Sequence, residues 1–115
     1  VVRQDFLQAH PEAVSGLLRG QVEANDLIHS DPEVAAQAAN AALGRALGKG
    51  LDADVLTASF AEATFTNDPD AASLKEQVRK AVSVGLLDPL SLDGIFDLRP
   101  LNDVLKSSGK PEVRA

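Results

Sequence analysis

His10-Pro11-Glu12-Ala13-Val14 and, further along, Ser30-Asp31-Pro32-Glu33-Val34-Ala35 write the same helix start twice. A proline just inside a helix gives up an N–H that has no partner there, and its fixed φ suits the first turn. A glutamate beside it faces the exposed amides and the positive end of the helix dipole. The two stretches announce two helices back to back. This helical hairpin hangs on Val1-Val2, whose β-branched pair reads as the tail of a strand.

From the first start, the spacing predicts a helix from Pro11 to about His29, with Val14, Leu17, Leu18, Ala24, Leu27 and Ile28 on one buried face. Gly16 and Gly20 lie inside it. Each costs up to about 1 kcal/mol relative to alanine unless a neighbour packs close, so close helix packing is expected there. The second helix takes Ser30 or Asp31 as its cap and runs to Leu47. Its Ala35, Ala38, Ala39, Ala42 and Ala46 leave room for a near neighbour, and Gly48 and Gly50 end it.

Outward from the hairpin the elements are shorter. Upstream, Gln4 to Ala9 reads as a helical turn. Downstream, Asp52 should cap a helix from Ala53 to about Ala63, with Val55, Leu56, Ser59 and Phe60 on one face. Thr64-Phe65-Thr66 is the only later stretch with β character. Asn67-Asp68-Pro69-Asp70 makes a turn and cap into a helix from Ala71 to Val84, striped by Leu74, Val78, Ala81 and Val82. Gly85 stops it, with Leu86-Leu87 placed for the apolar contact that accompanies such an end.

Residues 88–94 read as loop and Ile95-Phe96 as apolar anchors. Asp97 should cap a last helix with Pro100 in its first turn and Leu101, Val104 and Leu105 on its buried side. Ser107 to Ala115 is expected to fray as a polar tail. The expected fold is mostly α-helical, about five helices with almost no strand, in a single unit over residues 1–115.

Composition narrows the function. The chain has 115 residues and 12.0 kDa, and its four aromatics are all phenylalanine, so the core must be aliphatic. Net charge is −6 and pI about 4.7, a field that repels phosphate backbones; nucleic acid is not an expected partner. Lys75, Arg79 and Lys80 gather on one helix, where a short basic run on an acidic domain is a solvated face. Absence of cysteine removes disulfides, thiolate catalysis and sulfur-ligated metals together. No apolar run approaches bilayer length and no basic-then-apolar signal segment precedes Val1. The start on Val1-Val2 suggests a chain cut or processed upstream.

The residues that would carry chemistry are mostly missing. His10 and His29 stand at helix boundaries with no second histidine at ligand spacing. Asp68 and Asp70 flank Pro69 as a turn and an N-cap rather than an acid–base pair. The same stretch lacks the glycine and twelfth-position glutamate of a calcium loop. Ser15, Ser30, Ser59, Ser73 and Ser83 have no nucleophile elbow around them, and Gly44, Gly48 and Gly50 follow no strand, so they form no phosphate cradle. No enzyme activity, catalytic residue, metal or cofactor is expected, and no residue is assigned to ligand binding.

Taken in order, Val1-Val2-Arg3-Gln4-Asp5-Phe6-Leu7, His10-Pro11-Glu12-Ala13-Val14, Asp31-Pro32-Glu33, Gly85-Leu86-Leu87 and Asp97-Leu98-Arg99-Pro100-Leu101-Asn102 form a pattern spanning nearly the whole chain. It resembles the C-terminal third of the substrate-binding proteins of bacterial ABC importers for aliphatic sulfonates, taurine and nitrate. The resemblance implies the C-terminal helical segment of a two-lobed α/β periplasmic binding protein, type II. Such a protein closes on a small anionic solute by hinge motion and presents it to a membrane permease. It implies an extracytoplasmic location, periplasmic or as a cell-surface lipoprotein. The upstream strands and loops where the family holds its anion lie outside this sequence, so the resemblance carries over the scaffold and no ligand residue. Helix faces that once covered a sheet would invite self-association. The alternative from another class is an independent helical interaction domain that takes a partner helix between Leu17, Leu18, Phe60 and Leu74.

Overall fold

Prolines and aspartates set the helix boundaries. The computed structural model describes residues 1–114: α1 spans Gln4–Ala9, α2 Pro11–Ser30, α3 Pro32–Leu47, α4 Ala53–Glu62, α5 Ala71–Ser83 and α6 Arg99–Ser107. There is no strand among the described residues. Val1-Val2 forms no strand among the described residues, and both valines are exposed. Thr64-Phe65-Thr66 also makes no strand; Phe65 instead lays its ring beside Phe60, with centroids 5.2 Å apart.

The caps use local bonds. The His10 carbonyl accepts from the N–H groups of Ala13 (3.1 Å) and Val14 (3.3 Å), which opens α2 on Pro11. Asp31, not Ser30, caps α3, its carboxylate accepting from Val34 N–H at 3.1 Å with Pro32 in the first turn. Asp70 accepts from Ser73 N–H at 3.1 Å to start α5, and Asp68 accepts from Asp70 N–H at 2.9 Å. That second bond holds Asp70 at φ +49, which short polar side chains tolerate best. Asp52 makes no side-chain cap. The expected Asp97 cap is not formed: Leu98 is the N-cap of α6 and makes no side-chain cap, and Asp97, one residue further out, accepts from Arg99 N–H at 3.2 Å.

Gly85 (φ +73) closes α5 with paired bonds from Leu86 N–H to the Ala81 carbonyl (2.9 Å) and from its own N–H to Val82 (3.1 Å). The expected apolar contact is missing, because Leu86 is 77% exposed and Leu87 is exposed as well. Ile95 is exposed too, leaving Phe96 as the half-buried member of that pair.

Contacts gather the chain into two compact units, one of residues Val1–Leu18 with the described residues from Asp68 onward, the other Arg19–Asn67. In the first, Val14, Ala71, Val104 and Leu105 are buried, with Leu105 at 1% exposure. In the second, Val22, Asn25, Ala35, Ala36 and Leu56 are buried, and α3 packs on α4.

The α2 face differs from its expected line. Leu17 is 67% exposed, Ala24 and Leu27 are exposed, and the inward positions are Val14, Leu18, Val22, Asn25 and Ile28. The stripe advances by three and four through Val22, a residue the expected face omits. A Cβ added at Gly16 or Gly20 would meet nothing within 4 Å, so close packing does not explain either glycine. Of the alanine stripe on α3, Ala35 is buried and Ala39 half-buried, while Ala38, Ala42 and Ala46 are exposed. On α4, Leu56 is buried and Phe60 half-buried, but Val55 and Ser59 face solvent.

Two asparagines draw the chain back after a helix in the same manner. Asn40 Nδ2–H donates to the Leu51 carbonyl (2.9 Å) while Oδ1 accepts from Leu51 N–H (2.6 Å). Asn102 does the same to Val113, at 3.0 and 2.9 Å. Each amide satisfies both polar groups of one peptide residue, as a neighbouring strand would. Each return follows a left-handed glycine, Gly48 or Gly109, and a lysine. The segment after α6 is therefore tied down through Val113 rather than fraying; Ala115 lies outside the described residues.

Candidate functional site

Amides, a hydroxyl and one guanidinium converge in the first unit. Gln4, Leu7 and Gln8 come from α1, Pro11 and Ser15 from the first turns of α2, and Asp97, Arg99, Pro100 and Asp103 from the start of α6. They line an open cleft of about 640 Å³. Helix starts build it: α1 ends at Ala9 with His10 as its C-cap, the His10 ring lies 4.9 Å from Phe6, and α2 begins at once on Pro11.

The one cation of the cleft is already engaged. Arg99 donates from Nε and Nη2 to the two carboxylate oxygens of Asp97, at 2.8 and 2.6 Å. A planar fork on a carboxylate is the strongest of the common charge-assisted pairs. The Arg99 guanidinium holds the Asp97 carboxyl down at about 2, and Asp97 in turn raises Arg99. A polar solute entering here would meet the amides of Gln4 and Gln8, the Ser15 hydroxyl and the Asp103 carboxylate around a neutralised pair.

Elsewhere the displaced groups move the same way. Arg3 lowers Asp5, and Arg79 lowers Glu76 while being raised by it. These shifts carry the groups away from neutrality, opposite to the tuning of a general acid or base. The basic run on α5 is accounted for in part: Glu76 holds Arg79 at 2.6 Å and Lys80 at 3.5 Å. The two histidines have local partners, His10 on Phe6 and His29 through Nδ1–H on the Asn25 carbonyl at 2.6 Å. No group of three or more ligating side chains fit for a metal occurs among the described residues.

A second concavity, about 600 Å³, lies between α3 and α4 in the second unit. Pro32, Ala36, Ala53, Leu56, Phe60 and Ala61 form its apolar walls. Of the four residues expected to line a helix-binding groove, only Phe60 is here. Leu17, exposed, and Leu18 and Leu74, half-buried, belong to the first unit.

Two features escaped sequence reading. Asn25 is 3% exposed at an inward α2 position, where its Nδ2–H donates to Asn67 Oδ1 at 2.6 Å and its own oxygen accepts from Gln21 at 3.4 Å. Its place three residues after Val22 was the available signal. Asp97 and Arg99 read as a cap and a helix residue, although a carboxylate two before an arginine at a proline-started helix is within reach of a fork.

No protein family, no curated protein and no solved structure matches the chain. No helix among the described residues is long and apolar enough to cross a membrane.

Proposed function

We propose that the chain is the C-terminal helical part of the substrate-binding component of an ABC importer for a small anion, an aliphatic sulfonate, taurine or nitrate, working outside the cytoplasm with a membrane permease. The observation that carries this reading is the amount of surface the helices leave bare. A compact globule of given mass exposes a predictable area, and two separate globules of the two units' sizes would together expose about 7,200 Å². The chain exposes 8614 Å². Val1, Leu17, Leu47, Val55, Val84, Leu86 and Ile95 are among the large apolar residues left in solvent. Helices in this condition suit a layer laid over something else, as helices cover the parallel sheet of an α/β protein.

Most of the motifs behind the resemblance act as helix boundaries. Pro11 and Asp31-Pro32 open helices, and Gly85 closes one. The cleft at α1, α2 and α6 is not assigned to the anion, because its only cation is held by Asp97.

The test is a thermal-shift screen of the intact protein against taurine, alkanesulfonates and nitrate. A ligand that binds only the folded state stabilises it by about 2.7 kcal/mol when present at a hundred times its dissociation constant. A rise in melting temperature with one of these anions and not with chloride is expected. Silence across the series would refute the transport reading, as would an upstream coding sequence without alternating strand and helix periods.

A further inference from the structure

Asp93-Gly94 is the one place in the chain where an aspartate precedes a glycine. We propose that it is a site of spontaneous covalent modification, at which the folded chain isomerises through a cyclic imide to an isoaspartyl linkage. This chemistry is the same whatever solute the whole protein binds.

A main-chain nitrogen attacks the side chain before it. Gly94 N loses its proton and bonds to Asp93 Cγ, and the carboxyl gives up one oxygen as water, which closes the imide ring. Water then reopens the ring in one of two ways. Addition at Cγ restores aspartate, whereas addition at the Asp93 main-chain carbonyl carbon breaks its bond to Gly94 N and leaves the chain running through Cγ. No atom is gained or lost overall. The main chain is longer by one carbon, and a free carboxylate stands on Asp93 Cα.

The fold leaves both reacting groups free. Asp93 and Gly94 are exposed, and neither the Asp93 carboxylate nor Gly94 N–H has a hydrogen-bond partner among the described residues. The bonds lie around them: Asp93 N–H donates to Ser91 Oγ at 3.0 Å, and Ile95 N–H donates to the Leu92 carbonyl at 3.2 Å. That second bond closes a turn with Gly94 at φ +75, and it alone spans the pair, so turning Asp93 toward its neighbour's nitrogen costs the fold little. Glycine acts twice here. It takes the positive φ of the turn, and it puts no Cβ beside the attacking nitrogen. Other positions lack the combination. Asp31, Asp68 and Asp88 precede proline, which has no N–H to lose. Asp5, Asp70 and Asp97 have engaged carboxylates, and the remaining aspartates precede leucine, alanine or valine. The asparagine amides are held by hydrogen bonds, and none precedes glycine.

Prolonged incubation of the folded protein at neutral pH, beside the same protein unfolded in urea, tests this. Isoaspartate is read by transfer of a labelled methyl group from an isoaspartyl methyltransferase. It is located by peptide mapping with a protease that cuts before aspartate and passes over isoaspartate. Methyl acceptance should grow with time, reside in the peptide containing residue 93, and come with a minor species one water lighter. The folded protein should react within about tenfold of the unfolded one, because an exposed turn opens at little cost. Asp93→Glu keeps the charge, lengthens the side chain and should lose the signal with helicity unchanged. Asp93→Asn, whose leaving group is ammonia instead of water, should reach the same product faster. A folded protein that is inert or more than about tenfold slower than the unfolded one would overturn the proposal. So would modification spread evenly over the other aspartates, or a signal kept in Asp93→Glu.

Discussion

A methyl group placed on Gly50 would fall 2.7 Å from Asn40 Oδ1, 3.2 Å from its Cγ and 3.4 Å from its Nδ2. The amide would have to move, and it is not free to do so without loss. It holds the N–H and the carbonyl of Leu51 together, at 2.6 and 2.9 Å. Gly50→Ala should therefore break what Asn40→Ala breaks, two hydrogen bonds worth about 0.5 to 1.5 kcal/mol each, taken at the lower half because Leu51 is partly in water. The expected loss is about 1 to 2 kcal/mol for Asn40→Ala, and smaller for Gly50→Ala by the roughly 0.4 to 1 kcal/mol that alanine gains by restricting the unfolded chain. In the Asn40→Ala background the obstacle is gone. Gly50 has no positive φ, so alanine there only restricts the unfolded chain and should stabilise by about 0.4 to 1 kcal/mol. The gain is present in both backgrounds and cancels in the cycle, leaving a coupling of about 1 to 2 kcal/mol, the two lost hydrogen bonds.

Urea titration of helicity on the four proteins of the cycle measures that coupling. Amide exchange at Leu51 reports it locally, and protection there should fall in both single variants. Equal effects of Gly50→Ala in the two backgrounds would refute the reasoning, since they would mean that the amide yields without giving up its bonds.

Gly16→Ala and Gly20→Ala should each raise stability by up to about 1 kcal/mol, because both positions are helical and open; a loss in thermal melting would show an unseen close contact. Leu105→Ala should cost about 3 kcal/mol and Leu17→Ala less than about 0.5 in the same denaturation assay, the first being enclosed and the second in solvent. Asp31→Ala should cost about 1 kcal/mol through its lost cap, while Asp52→Ala, which removes no cap bond, should leave melting almost unchanged. Asp97 titrates lower in the folded chain than its ordinary 3.8, so its pair with Arg99 contributes fully above that value and is lost as pH falls through about 2. An NMR titration of the Asp97 carboxyl should place its midpoint near 2, and Arg99→Ala should return it toward 3.8.

What the sequence made legible was what neighbours along the chain decide. Pro11, Asp31-Pro32, Asp70 and Gly85 act on bonds within a few residues, and each stands where its pattern puts it. The buried face of α2 was harder to read. The three-and-four rule admits more than one line of apolar residues down that helix. Packing keeps Val14, Leu18 and Ile28 of the expected line and takes Val22 and Asn25 in place of Leu17, Ala24 and Leu27. The expectation of a fraying tail failed for a related reason, since its anchor, Asn102, lies inside a helix and acts across eleven residues. The cleft was invisible because Asp97 and Arg99 each had a sufficient local explanation.

The two clamps bear on why so much apolar surface stays open. A helix that ends in solvent leaves carbonyls and a following chain to be satisfied, and burying that chain against another element is one solution. Here Gly48 with Asn40, and Gly109 with Asn102, satisfy the return by hydrogen bonds within one helix and its own continuation. The polar groups are settled without drawing Leu47 or Val55 inward, and both remain exposed. Local satisfaction of the backbone thus separates helix formation from helix covering. The helices are specified whether or not a partner is present, and their apolar sides stay available to one. On that argument, breaking either clamp should lower amide protection in its own return chain and leave total helicity nearly unchanged.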